Sequence, residues 1–329
     1  MNQKVYQTLK SAETEDWLDY HVVRPVCYYL AVAFNYFDIN PNTVTILSMI
    51  VGAGSALLFA HGSYFYEGAA GLAMNIIAVA MLTVADLLDC TDGQLARLSG
   101  KKSRMGRILD GMAGFVWFVP IYLAIVWRFY CHHTLEFAWL GIADTPTNTY
   151  IATAVVLAMS LVSGFLGMGG QQRLADYYIQ VHLFFLKGEK GSEFDDSRRQ
   201  QQLLDEMPAD ASFIERQFQR SYVGYTRKQE SATPRFQHMM AVMRQRYGSP
   251  ANCPEDVRRR FHAESLALMP WNGLLTFNFR TTFFFIFTLA DVPVLNFVWE
   301  IVAMSLLTEY IRRRHERFSQ RLADELTSK

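Results

Sequence analysis

The sequence predicts an all-α fold, a polytopic membrane helical bundle of about six transmembrane helices, each needing roughly 20 apolar residues. Two observations carry that prediction: apolar residues come in blocks of spanning length, and basic residues crowd the joints on one side of those blocks. Over the whole chain of 329 residues, hydrophobic residues make up 51%, aromatics 14% and charged residues 19%, an average that conceals the blocks. The formal net charge is zero, so nothing suggests a nucleic-acid partner. The four cysteines, Cys27, Cys90, Cys131 and Cys253, show no paired spacing. They make neither a disulfide framework nor a thiolate zinc site.

Residues 1–40 form a cytoplasmic N-terminus and an interfacial amphipathic helix. The stretch up to residue 16 is polar and has no signal-peptide pattern. Residues 17–37 then read as a helix with one largely apolar side: Trp17, Leu18, Val22, Val26, Tyr29, Leu30, Ala33 and Phe37. Arg24, Pro25 and the terminal aromatics suit a helix lying along the headgroups; the alternative is a seventh span.

Residues 41–170 hold the first four spans, 44–60, 69–88, 106–127 and 150–170. Ser48, Gly52 and Ala56 recur at four-residue spacing, which lets helices approach closely in lipid. Residues 171–270 are polar and helical in pattern, broken by Gly188, Gly191, Pro208, Pro234, Gly248, Pro250 and Pro254. They are too charged to span and too long for a turn, hence a cytoplasmic helical insertion. Residues 271–329 supply spans 274–289 and 294–310, followed by a basic tail. Between them, the joints after spans one, three and five carry a single Lys or Arg, Arg128. The opposite side holds Arg97, Lys101, Lys102, Arg104, Arg107, the 173–260 region and Arg312 to Arg314. That asymmetry puts both termini in the cytoplasm, with the cell inner membrane as the expected location.

The informative stretch is DLLDCTDGQLARLSGKKSRMGRILDGMAG, residues 86–114. Asp89 and Asp92 are three apart near the end of the second span, so their carboxylates share a helix face. Gly93 follows, leaving room beside the backbone. Asp110 lies early in the third span and returns to the same region if the two spans form a hairpin. Carboxylates gathered at a membrane face repel one another unless a cation compensates. An oxygen-only set favours Mg²⁺ or Mn²⁺, and such ions suit the bridging of diphosphate oxygens. The bland alternative is that these aspartates mark helix ends in the headgroup region.

These residues carry a resemblance. Asp89-x2-Asp92-Gly93-x2-Ala96-Arg97, eight residues, Gly106-x3-Asp110 is similar to the signature of the CDP-alcohol phosphotransferase family, at every spacing. Pro41-Asn42-Thr43-Val44-Thr45 looks like the element with which that family enters its first span. The resemblance implies transfer of a substituted phosphate from a CDP-linked donor to an alcohol or lipid acceptor, releasing CMP. It implies metal ions on Asp89, Asp92 and Asp110, and a nucleotide pocket shaped by Asn42, Thr45, Gly93, Ala96, Arg97 and Gly106. Membrane lipids are the surroundings it implies, and homodimers are common among relatives.

One signature position departs. Where the family has a fourth aspartate, regarded as a metal ligand and as the base, this chain has Gly114. Asp86 lies one turn deeper than Asp89, and position 114 is one turn deeper than Asp110, so both sit roughly 4–6 Å beyond the neighbouring ligand. Asp86 is therefore the candidate for the missing catalytic carboxylate; the alternative pairs it with a buried Arg or hydroxyl. Asp176 and His182 are further candidate bases. A degenerate homologue acting as a membrane scaffold or regulator is the competing function. Family members that use inositol phosphate have an Arg after the fourth aspartate; Phe115 stands there.

Arg280, in the fifth span, is a candidate for a substrate phosphate, or else pairs with Glu300. Arg104 and Arg107 could meet a polar substrate headgroup, or simply satisfy the charge asymmetry. Glu309 is expected to sit at a helix end near Arg312 and Arg313.

Overall fold

Each apolar block begins as a helix where a side-chain oxygen can accept from a backbone amide that has no intrahelical partner. In the computed structural model Asn40 accepts from Asn42 N to start α1 (Pro41–His61), and Ser63 accepts from Tyr66 N to start α2 (Tyr64–Ser99). Ser103 accepts from Gly106 N at α3 (Arg104–Cys131), and Thr145 from Asn148 N at α4 (Pro146–Leu166). The model describes residues 11–328 except 12, 15, 16, 102, 189–191, 193 and 209, and at 104, 105, 107, 108 and 168 the backbone alone. Among the described residues there are helices, turns and loops and no strand.

Among the described residues, four helices are long and apolar enough to cross a membrane: Pro41–His61, Tyr64–Ser99, Leu109–Cys131 and Pro146–Lys187. The expected fifth and sixth spans are helical but do not meet that standard. Phe277–Leu289 has 13 residues, about 20 Å at 1.5 Å per residue, short of a bilayer core. Leu295–Trp299 runs into a π-helical turn at Glu300–Met304 and on into Ser305–Ser328, so apolar and strongly basic turns share one helix. Aromatic content alone did not reveal that Phe277–Leu289 closes so early.

The chain divides into two compact units, one comprising Asp16–Met168 and Asn278–Ala303, the other Gly169–Phe277 and Met304–Lys329 together with Glu13–Glu15. In the first, the small-residue stripe of α1 is a packing face. Ser48 and Ala56 are buried, and the Trp117 ring of α3 lies over Gly52, where a Cβ would come within 2.3 Å of it. The Trp117 indole donates to the Ser48 carbonyl at 3.1 Å. The N-terminal helix Arg24–Tyr36 buries Ala31 with Val44, Leu88 and Leu95 and leaves Trp17, Tyr29, Tyr36 and Phe37 exposed along the segment. Ile50, Leu57, Leu123, Ile151 and Phe165 are exposed too, as lipid-facing positions of a spanning bundle are.

At the end of this unit away from Pro41, Asp291 ties three segments. It accepts from Ser63 Oγ at 2.9 Å and from Phe65 N at 2.7 Å, and it pairs with Arg128. Arg128 Nη1 also donates to Asn75 Oδ1 at 3.2 Å, while Asn75 Nδ2 donates to the Thr288 carbonyl at 3.1 Å. Gly68, with φ +58°, bends the first turn of α2 in a conformation open to glycine.

The second unit packs its helices around aromatic rings, with Phe185 stacked on Phe261 at 3.8 Å between centroids. Its helix Phe213–Ala232 starts with a reciprocal cap, Ser212 accepting from Glu215 N and Glu215 accepting from Ser212 N. His315 is buried against Tyr178, Phe236, Phe261 and Phe318, and neither ring nitrogen has a hydrogen-bond partner. Burial pulls its pKa down to about 3. An unfolded chain binds this proton below about pH 6.5, whereas the folded one refuses it until far lower pH, so stability falls as pH drops through that window. Lowering the pH from 7.5 to 5 should cost about 2 kcal/mol from this residue. Thermal unfolding in detergent should show this loss in the wild type and a flatter profile in His315→Leu; identical profiles would refute it.

Candidate metal and nucleotide site

Three helix ends of the first unit supply the predicted site residues. The C-terminal part of α2 carries Asp86, Asp89 and Asp92 on successive turns, α1 begins with Asn42 and Thr45, and α3 begins with Gly106 and Asp110. The Thr45 hydroxyl donates to Asp92 Oδ2, which fixes that carboxylate against α1, and Asp92 is 4% exposed. Asp89 Oδ1 is buried without a hydrogen-bond partner. The charges of Asp92, Asp110 and Asp86 all act on Asp89, and Arg97 acts on Asp92.

The glycines differ in what holds them. A Cβ at Gly106 would sit 2.8 Å from Asn42 Oδ1 and 3.0 Å from Ser103 Oγ, so glycine is what lets α3 start against α1. Ser103 Oγ in turn donates to Asn42 Oδ1 at 3.4 Å. At Gly93 a Cβ would meet only the flexible end of Arg97, at 3.5 Å. Packing does not demand glycine there. Ala96 is half-buried beside it and Arg97 is exposed.

The aspartates do not close into a tight ligand cage. Among the described residues, the one group bringing three ligand atoms within 4.8 Å of one another is Glu13, His182 and His262, not the aspartates. A buried carboxylate oxygen with no donor, surrounded by further carboxylates, is nonetheless chemistry that a hard divalent cation satisfies. The residues therefore fit Mg²⁺ or Mn²⁺ whose remaining positions are filled by ligand oxygens.

Gly114 lies one turn into α3 from Asp110, half-buried and with no carboxylate to offer. Asp86 is half-buried, and it and Arg24 both act on Cys27 and Cys90, so a guanidinium shares its surroundings. Arg280 Nη1 is 2.9 Å from Glu300 Oε1, and both side chains are buried. Glu300 Oε2 also accepts from the Tyr122 hydroxyl at 2.5 Å and from Ser163 Oγ. Of the two expectations for Arg280, the ion pair is the one seen. The side chains of Arg104 and Arg107 lie outside the described residues.

The further base candidates are engaged within the second unit. Asp176 accepts from the Tyr225 hydroxyl at 3.4 Å, and His182 is within 3.0 Å of both Ser265 Oγ and Glu13 Oε2. Glu309 accepts from Arg312 Nε at 2.7 Å and Arg313 Nε at 2.6 Å as expected, but it lies within the helix Ser305–Ser328 rather than at a helix end. Sequence reasoning missed Ser103, although a serine three residues before Gly106 is a cap signal. It also missed Tyr122 and Ser163, for which no local pattern exists.

The model of the CDP-alcohol phosphatidyltransferase family matches residues 38–170. Neither a curated protein nor a solved structure matches the chain. The matched span contains the starts of α1 and α3 and the aspartates of α2, the three pieces that the fold brings together. Over residues 38–170, less than half of its length, the chain is similar to the CDP-alcohol phosphatidyltransferase family.

Proposed function

We propose that this chain is an integral-membrane phosphotransferase whose site opens to the cytoplasm, with Asp89, Asp92 and Asp110 holding Mg²⁺ or Mn²⁺ and Asp86 serving as the base. The observation that carries this reading is the buried, donor-less oxygen of Asp89 among three other carboxylates. Bound there, a divalent cation supplies neutralisation of the donor diphosphate and of the charge on departing CMP.

The protein's own groups position the reactants. Thr45 holds Asp92 in place, and Asn42 with Gly106 fixes the approach of α3 to α1. The space kept at Gly93, next to Ala96 and Arg97, admits the nucleotide beside the backbone. In the reaction the acceptor oxygen bonds to phosphorus, the bond from phosphorus to CMP breaks, and the acceptor proton passes to Asp86. Asp86 is half-buried one turn from Asp89, which suits it to take up the acceptor proton. The donor is either CDP-diacylglycerol with a small polyol acceptor or a CDP-linked headgroup with a lipid alcohol, ceramide-like ones included. Phe115 argues against inositol phosphate.

The test is CMP release by the purified full chain from both donor types, each offered with its matching acceptors. We expect release with one pairing, dependent on Mg²⁺ or Mn²⁺ and lost on chelation. Asp86→Asn should lower turnover by about 10²-fold or more while CDP still binds. Unchanged turnover would remove Asp86 from the mechanism. Gly114 favours a second reading, a regulator that binds the nucleotide; CDP binding with no CMP release from any pairing would establish that instead.

A further inference from the structure

The second unit contains a group of metal-ligating side chains that phosphoryl transfer does not use. Glu13, His182 and His262 offer one ligand atom each, all within 4.8 Å of one another. Both imidazoles converge on one carboxylate oxygen: His182 Nε2 lies 3.0 Å and His262 Nε2 2.8 Å from Glu13 Oε2. The two rings stack at 4.8 Å between centroids, 30° apart, so both Nε2 atoms face the same point. His182 is fully buried, and its Nδ1 lies 3.0 Å from Ser265 Oγ.

We propose that Glu13, His182 and His262 form a zinc site that clips Glu13 to the helices Gln172–Lys187 and Glu255–Leu266. The donor set decides the ion: two imidazoles and one carboxylate suit Zn²⁺, whereas Mg²⁺ and Ca²⁺ favour all-oxygen sets. Zinc-to-ligand distances of about 2.0–2.2 Å put tetrahedral ligand atoms about 3.3–3.5 Å apart. The two histidine-to-carboxylate separations need to widen by only a few tenths of an ångström to reach that. Ser265 completes the arrangement. When His182 Nδ1–H donates to its hydroxyl, the Nε2 lone pair is left for the metal, the outer contact that fixes ligating histidines. Glu13 and His262 are partly exposed, with side-chain exposures of 37% and 22%, so water can reach the fourth position.

Without an ion, the same three groups make a hydrogen-bonded triad. The experiment separates the two. The full chain, purified in detergent and stripped with chelator, is titrated with Zn²⁺ in excess Mg²⁺, which competes for all-oxygen sites. About one zinc per chain should bind. Glu13→Gln and His262→Gln, both at partly exposed positions, should lose it, while Asp89→Asn should keep it. Ser265→Ala should weaken binding about 10–100-fold, and zinc should slow amide exchange at Glu13 and Thr14. Absence of bound zinc in the wild type would overturn the proposal. So would full zinc occupancy in folded Glu13→Gln and His262→Gln proteins.

Discussion

Asp89→Asn should lower metal-dependent CMP release by at least about 10²–10³-fold, the scale of losing one group that stabilises transition-state charge, without weakening the helical fold. The argument comes from what surrounds the side chain. One oxygen of Asp89 is buried with no donor, and three other carboxylates act upon it. In the metal-free protein an uncharged isostere therefore relieves repulsion, and thermal stability should be unchanged or raised. With metal present the variant should gain less from Mg²⁺ or Mn²⁺ than the wild type does. Stability and activity moving in opposite directions is the behaviour of a functional group rather than of a helix-end residue. Full turnover, or a variant that unfolds without metal, would contradict the assignment.

Arg280→Met should be the most destabilising single change in the first unit. Glu300 is completely buried, and Arg280 is the cation seated on it at 2.9 Å. Removing one partner of such a pair costs about 3–5 kcal/mol, because the other is left as an uncompensated buried charge. Arg280→Met/Glu300→Gln should recover much of that loss, since the amide can still accept from the Tyr122 hydroxyl and Ser163 Oγ. Thermal unfolding in detergent distinguishes this from the substrate role. A guanidinium serving a substrate phosphate would give a stable protein with a raised KM, and no rescue by the second substitution.

Local chemistry was the legible part of this molecule. The stripe of Ser48, Gly52 and Ala56 is a buried face, whereas the caps at Asn40, Ser63, Ser103 and Thr145 went unread. That Asp89 and Asp92 share a face was legible because helix periodicity alone decides which side chains do so. That Trp117 is the partner lying over Gly52 was not legible, because contact across helices depends on their crossing. The short length of the helix at the expected fifth span was hidden for a related reason. Its aromatic run looks lipid-facing, yet Arg280, Thr281 and Phe284 are buried in protein and the helix closes at Leu289. Assignment of residues 304–329 to the same unit as 169–277 was equally out of reach, since the basic tail reads as a simple cytoplasmic extension. The convergence of Glu13, His182 and His262 had no signature, as the three lie far apart along the chain.

The knot around Asp291 bears on where the first unit can open. It fastens the turn after α1, the end of α3 and the turn after Leu289 through a paired arginine and two donated hydrogen bonds. Prising those segments apart would strand charge in an apolar setting. Helices pinned at one tip can still splay at the other, like the ribs of a fan. The freedom to open is thereby left to the end where Thr45 holds Asp92 and Gly106 packs on Asn42.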